Sequence, residues 1–207
     1  MYLERYGFPK AILEAVRAQG GDELPARITA VHKERYALVC EAGETHAHLK
    51  SSTYFNDQTE AFPTAGDYVL LQYNPAGDSV IVRTLPRRSY FARRSPERGR
   101  GEQAVAANFD AVLVMQSLNS DFNPRRLERY LALAWQSGAE PVVVLNKSDL
   151  AEHPENQLAA ARRVAGGADV FAVSAKTGDG MNALSGWLCP GKTVVLLGSS
   201  GVGKSSF

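Results

Sequence analysis

Gly198, Ser199, Ser200, Gly201, Val202, Gly203, Lys204 and Ser205 have the spacing G-x-x-x-x-G-K-[ST]. Glycines in such a loop let several backbone N–H groups converge on a polyphosphate, while the lysine reaches the outer phosphates. The next hydroxyl, on Ser205, is the candidate ligand for Mg²⁺, and Ser206 continues the loop. Lys204 and Ser205 are the candidate catalytic pair. A second cluster, Asn146, Lys147, Ser148 and Asp149, ends in a carboxylate. An ionised carboxylate is acceptor-only and suits the two adjacent donors, N1–H and N2–H₂, on the Watson–Crick edge of guanine. Asn146 can bond the base and brace neighbouring loops, and the stem of Lys147 can lie over the ring. In a third cluster, Ser174, Ala175 and Lys176, the Ala175 amide can donate to guanine O6. Each polar cluster alone reads as a turn or helix cap. Together they offer a complete set of contacts for base and phosphates.

The elements that must position these residues alternate. Thr193–Leu197, Asp110–Met115, Pro141–Leu145 and Asp169–Val173 are short apolar runs of buried-strand type, and each of the three clusters follows one of them. Between them the pattern predicts helices over Pro124–Gln136, Glu155–Ala165 and Gly180–Leu188. Asn123 is the expected N-cap of the first, with Pro124 at its first position and Gly138 beyond its end. Leu127, Tyr130, Leu131, Ala134 and Trp135 fall on one face of that helix and read as core. Alternation of this kind predicts a parallel α/β sheet covered on both faces, with ligands outside the carboxyl ends of its strands.

The preceding residues have another texture. Pro9–Arg17 reads as a short amphipathic helix. Ala26–His32, Tyr36–Cys40, Glu44–Leu49, Tyr68–Tyr73 and Val80–Thr84 read as strands separated by turn sequences such as 63–67 and 74–78. Five short strands predict a small β-barrel of the oligonucleotide-binding (OB) type. Tyr36, Tyr54, Phe55, Tyr68 and Tyr73 are either barrel core or stacking faces for bases. Arg83, Arg87, Arg88, Arg93, Arg94, Arg98 and Arg100 crowd one stretch against a single acid, Glu97, in a chain of net charge +1. That stretch reads as a linker, either a solvated tether or a strip that contacts phosphates.

The 207 residues, 44% of them hydrophobic, suffice for one large or two small domains. Cys40 and Cys189 stand far apart, without the spacing of a zinc finger or a disulfide framework. The N-terminus lacks a signal-type apolar segment, and no run approaches a membrane span. The expectation is a soluble, cytoplasmic protein with no membrane partner.

The order of the clusters, base contacts first and phosphate loop last, is that of a circularly permuted GTPase domain. Ala106–Asp110, Ser117–Asn123, Arg125–Leu131 and Asn146–Asp149, ahead of the late phosphate loop, resemble the circularly permuted, small-ribosomal-subunit-dependent GTPases of the RsgA (YjeQ) family. Residues 63–69 and 85–89 match that pattern too. The resemblance implies a helical segment over 1–25, an OB-fold RNA-binding barrel over 26–85, an Arg-rich linker over 86–107, and a truncated, permuted P-loop GTPase (G) domain over 108–207. It implies GTP/GDP and Mg²⁺ as ligands, the small (30S) ribosomal subunit and its 16S rRNA as partners in late maturation, and a monomer. In the order of ordinary GTPases, the phosphate-loop strand would neighbour the Asp110 strand, followed by the Val142 and Val170 strands, and would be left as an open edge.

Family members continue into switch segments and a zinc domain. Zinc is therefore expected only in that missing domain, and the chain is expected to be a fragment that binds guanine nucleotide weakly and turns over little GTP. Two alternatives stay open from the residues themselves. One is an RNA-binding module whose nucleotide site is a checkpoint without turnover. The other is an ATP-using phosphate-loop enzyme, against which Asp149 argues.

Overall fold

The structure, a computed structural model, describes residues 3–18, 20–33, 35–56, 62–94 and 102–207. They divide into two compact units: Met1–Asn108 with Pro190–Lys192, and Phe109–Cys189 with Thr193–Phe207.

The first unit is built on a closed barrel of β1 (Leu24–His32), β2 (Arg35–Cys40), β3 (Gly43–Leu49), β4 (Tyr68–Gln72) and β5 (Ser79–Thr84), in the order β1-β2-β3-β5-β4. All neighbours are antiparallel except β3 and β5. Strand alternation sends Ala26, Ile28, Leu38, Cys40, Ala47, Val69, Leu71 and Ile81 inward, where they form one buried cluster with Tyr36 and Tyr54. Val39, Tyr68, Leu70 and Val82 point the other way. They form a second cluster with Leu3, Phe8 and Leu13, the last from helix α1 (Lys10–Ala18).

Tyr36, Tyr54 and Tyr68 are thus core residues, whereas Phe55 (49%) and Tyr73 (38%) keep large exposed areas. The Tyr68 hydroxyl donates to Gly7 O at 2.6 Å, and the Tyr54 hydroxyl meets Thr84 Oγ1 at 2.8 Å. Burying a phenol ring with its hydroxyl paired avoids the cost of an orphaned polar group.

The stretch 86–107, expected as a linker, is not an open tether. It carries β6 (Tyr90–Arg94) and β7 (Glu102–Ala107), paired antiparallel. Its base is tied to the barrel through Asp67, which is fully buried: Arg87 donates to both carboxylate oxygens, at 2.8 and 2.7 Å, and the Thr64 amide to one of them at 2.8 Å. The side chain of Asn108 reaches Gly66 O and Asp67 Oδ1, and its carbonyl accepts from Arg27. Gly66, at φ +91°, lies so close to Ala107 that a β-carbon would overlap the Ala107 carbonyl. Arginine density hid this strand pair because charge runs ordinarily read as solvated. The signals for pairing, Tyr90-Phe91 and Ala104-Val105-Ala106, are short and separated. Arg98 and Arg100 lie outside the described residues.

The second unit is a four-stranded parallel sheet of β8 (Ala111–Ser117), β9 (Glu140–Asn146), β10 (Asp169–Ala172) and β11 (Val194–Gly198), ordered β10-β9-β8-β11. β8 is buried along its whole length, whereas β11, at the edge of the sheet, is half-buried throughout. This is the expected order, with the phosphate-loop strand at the edge. Helix α2 (Pro124–Gln136) lies on β8 and β9, and α3 (Glu155–Val164) on β10. The Asn123 side chain accepts from the Arg126 amide, as an N-cap should.

Two expectations are corrected. The helix over Gly180–Leu188 is a single 3-10 turn, Met181–Leu184, entered through Gly180 at φ +73°. Trp135, placed with the core face of α2, is 50% exposed, while Leu127, Leu131 and Ala134 are buried. Trp135, the last residue of the apolar stripe, lies one residue before the end of α2 and keeps half its area exposed.

Candidate nucleotide site

Asn146 ends β9, Ser174–Lys176 follow β10, and the phosphate loop follows β11. The parallel ladder therefore delivers all three clusters to the carboxyl end of one sheet. Asn146 is 2% exposed and joins them. Its Nδ2 donates to Val202 O at 2.9 Å and its Oδ1 accepts from the Ala175 amide at 3.0 Å. A carboxamide, with a donor nitrogen and an acceptor oxygen side by side, can donate to one loop and accept from another in this way. The Ala175 amide, expected to reach guanine O6, thus donates to Asn146.

Lys147 takes a left-handed conformation, φ +64°, and its ammonium donates to Gly201 O at 2.7 Å. Its aliphatic stem therefore spans from the second cluster to the phosphate loop. The Ser148 amide donates to Val173 O at 3.0 Å. Asp149 is exposed, and its Oδ1 accepts from the Ser174 hydroxyl at 2.7 Å. Ser174 itself is fully buried and also accepts from the Thr177 amide at 3.1 Å. A buried hydroxyl therefore sets the direction of an exposed carboxylate. Lys176 is exposed.

In the phosphate loop, Lys204 Nζ donates to Gly198 O at 2.8 Å and to Ser199 O at 2.6 Å. Both partners are neutral carbonyls, so exchanging them for phosphate oxygens is favourable. Gly203 has φ +97°, and a β-carbon there would overlap the Asn146 amide nitrogen. Val202 is buried with Met115 and Val144 in the core beneath the loop. Ser200 and Gly201 are exposed at its tip, and Lys204–Ser206 form a 3-10 turn on which Ser205 and Ser206 are exposed. The exposed Ser205 hydroxyl, next to Lys204, has the chemistry of a Mg²⁺ ligand.

One contact lay outside the sequence reading. Tyr130, on α2, brings its hydroxyl 3.3 Å from Ser199 Oγ. The apolar period placed this ring in the core; the signal that could have marked it is its polar tip on an otherwise apolar stripe.

Known proteins of one family resemble this chain in sequence and in fold. A model of the RsgA GTPase family matches residues 84–207. The small ribosomal subunit biogenesis GTPase RsgA 1 of Listeria monocytogenes is 39% identical over 211 residues, which cover 100% of this chain and 58% of that protein. The RsgA of Opitutus terrae is 45% identical over 195 residues, covering 88% of this chain and 53% of its own. The chain thus spans little more than half the length of these curated relatives. Among solved structures, YjeQ from Thermotoga maritima superimposes with a TM-score of 0.71 at 26% identity, covering 89% of this chain and 63% of that one. YloQ, described as a circularly permuted GTPase, superimposes with a TM-score of 0.62 at 23% identity, covering 89% and 62%.

Proposed function

The chain belongs to the RsgA GTPase family, and from that premise we propose that it binds GTP and GDP with Mg²⁺ and forms the nucleotide- and RNA-binding part of a small-ribosomal-subunit assembly GTPase. The observation that carries the nucleotide reading is the Asn146 bridge, which joins Val202 of the phosphate loop to Ala175 beside the base.

In this reading Asp149 accepts from guanine N1–H and N2–H₂, with the Ser174 hydroxyl holding the carboxylate in plane. Asn146 and the Ala175 amide share their hydrogen bond with the base, and Ser148 and Lys176 frame it. Lys147 covers one face of the ring. The amides of residues 198–206 surround the phosphates, and Lys204 leaves the carbonyls of Gly198 and Ser199 for phosphate oxygens. Ser205 would hold Mg²⁺, which supplies charge neutralisation between the phosphates. Such contacts act by positioning and electrostatics, the main requirement of phosphoryl transfer. GTP hydrolysis is proposed for the protein at the length of its curated relatives.

The barrel and its strand pair are proposed to contact 16S rRNA, supported by the OB architecture and by the excess of arginine in 83–100. No helix among the described residues is long and apolar enough to cross a membrane. A monomer acting in the cytoplasm, where ribosomes assemble, completes the proposal.

The test is calorimetric titration of the chain with GDP, ADP and xanthosine diphosphate in the presence of Mg²⁺. Saturable binding of GDP with at least tenfold preference over ADP is expected. Equal affinity for ADP and GDP would replace the guanine reading with the ATP-using alternative.

A further inference from the structure

We propose that Tyr130 is a positioning residue for the phosphate loop, its hydroxyl holding Ser199 after Lys204 has moved to a bound nucleotide. The inference rests on the guanine-nucleotide reading of the site.

The loop is supported unevenly. Its Gly201–Val202 portion is held from the side of the base by Lys147 and Asn146, which donate to the Gly201 and Val202 carbonyls. Its Gly198–Ser199 portion leaves the end of β11, at the sheet edge, where β8 is the neighbouring strand. Among the described residues, two side chains hydrogen-bond there: Lys204 Nζ to the carbonyls of Gly198 and Ser199, and the Tyr130 hydroxyl, 3.3 Å from Ser199 Oγ. Lys204 is the residue that must turn to the phosphates for the loop to work. Phosphate capture therefore removes one of these two side-chain hydrogen-bonding partners, and Tyr130 is the one that stays.

Tyr130 is well placed to hold a fixed position. It lies three residues after Leu127 and four before Ala134, both fully buried, on a helix seated on β8 and β9. Its ring is half-buried, so the phenol is restrained while its hydroxyl remains available. A phenolic O–H that donates to Ser199 leaves the serine's own proton for another acceptor. Fixing Ser199 fixes the peptide that follows Gly198, the residue from which the loop turns away from the sheet.

The test compares Tyr130→Phe, Ser199→Ala and the double variant of this chain, using GDP labelled with a methylanthraniloyl fluorophore. The phenylalanine keeps the ring and its packing, so the thermal midpoint without nucleotide should fall by no more than the loss of one hydrogen bond. Dissociation of the labelled GDP should accelerate roughly threefold to tenfold in either single variant, the span expected for one hydrogen bond. The double variant should be no faster than the faster single one, because both remove the same contact. Multiplicative effects, or an unchanged dissociation rate in Tyr130→Phe, overturn the inference while leaving the nucleotide site standing. Failure of the unmodified chain to bind labelled GDP removes the guanine reading itself, and this inference with it.

Discussion

The Asn146 carboxamide and the Val202 carbonyl meet at 2.9 Å, which locks the end of β9 to a phosphate loop that follows β11. The two strands are separated in the sheet by β8, so this bond crosses the full width of a strand. Replacing Asn146 by Asp sets a carboxylate oxygen against the Val202 carbonyl, two acceptors with no proton between them. Because Asn146 is 2% exposed, water cannot readily repair the contact. Stability should fall by about 1–3 kcal/mol, the cost of leaving a buried group unsatisfied, and GDP affinity should fall by roughly tenfold or more. Denaturant unfolding and calorimetry measure the two effects. Unchanged GDP affinity would show that the bridge does not shape the site.

Asp67 is the corresponding bond point of the first unit. Its carboxylate is fully buried and receives Arg87 through two nitrogens. The carboxylate and its hydrogen bonds hold the Arg87 guanidinium above the usual arginine range, although partial burial opposes this. Removing one member of a buried pair strands the other. Asp67→Ala should cost about 3 kcal/mol, toward the lower end for such pairs because Arg87 remains 17% exposed. Thermal unfolding of the variant is the check, and a midpoint within a degree of the parent would show that the pair is not structural.

The same pair divides the arginines by role. Arg87 is half-buried and paired with Asp67, whereas Arg88 is exposed, with one of its hydrogen bonds going to a backbone carbonyl, Asn108 O. If the barrel contacts rRNA, Arg88→Ala should reduce the slope of log affinity against log salt by about 1 in titrations with small ribosomal subunits. Arg87→Ala should act mainly on stability. Equal salt slopes for the parent and Arg88→Ala would take Arg88 out of the RNA contact.

The convergence of three strand-end clusters was legible because it follows from local pattern, whereas the sheet order came from the resemblance to GTPases. β-branched runs mark the strands, and polar residues immediately after them must lie at the carboxyl edge. What was not legible depends on partners distant in sequence. Arg87 belongs to the fold because of Asp67, twenty residues earlier, and Ala175 donates to Asn146, twenty-nine residues earlier. Tyr130 follows the same rule: helical period reports that a ring faces inward, not which hydroxyl it meets there. Trp135 shows the converse limit, since periodicity marks a stripe without reporting how far each of its residues is covered.

The two thiols should separate by reactivity. Cys40 is fully buried in the barrel core and Cys189 is exposed. Burial pushes the Cys40 thiol above its ordinary range, and burial does the same to the Tyr36 phenol in the same cluster. Both groups are neutral in the folded state at a pH where their unfolded forms begin to ionise, so the unfolded state holds fewer protons. Stability is therefore complete below the unfolded thiol value of about 8.5 and declines as pH rises beyond it. Iodoacetamide at neutral pH should label Cys189 promptly and Cys40 only at the rate of unfolding. A Cys40 that reacts as fast as Cys189 in the folded chain would contradict the barrel core.

Asp149 gives the sharpest test of base recognition. Its Oδ1 is committed to the Ser174 hydroxyl at 2.7 Å, yet the side chain is exposed, so the carboxylate is oriented but open to a ligand. As an acceptor-only group it matches guanine, whose edge presents two adjacent donors. Asp149→Asn replaces one acceptor by a donor. Against guanine that nitrogen faces N–H groups and repels them; against xanthine, which carries a carbonyl in place of the exocyclic amine, it gains a partner. Two charge-assisted bonds are at stake, so GDP affinity should fall by roughly a hundredfold or more while affinity for xanthosine diphosphate rises. Ser174→Ala, which removes the orienting hydroxyl but keeps the carboxylate, should weaken GDP by about tenfold at most and leave xanthosine diphosphate unbound. Competition of both diphosphates against a fluorescent nucleotide reads the inversion directly. An Asp149→Asn variant that still prefers GDP would show that the base is recognised elsewhere, by Asn146 and the backbone of the third cluster.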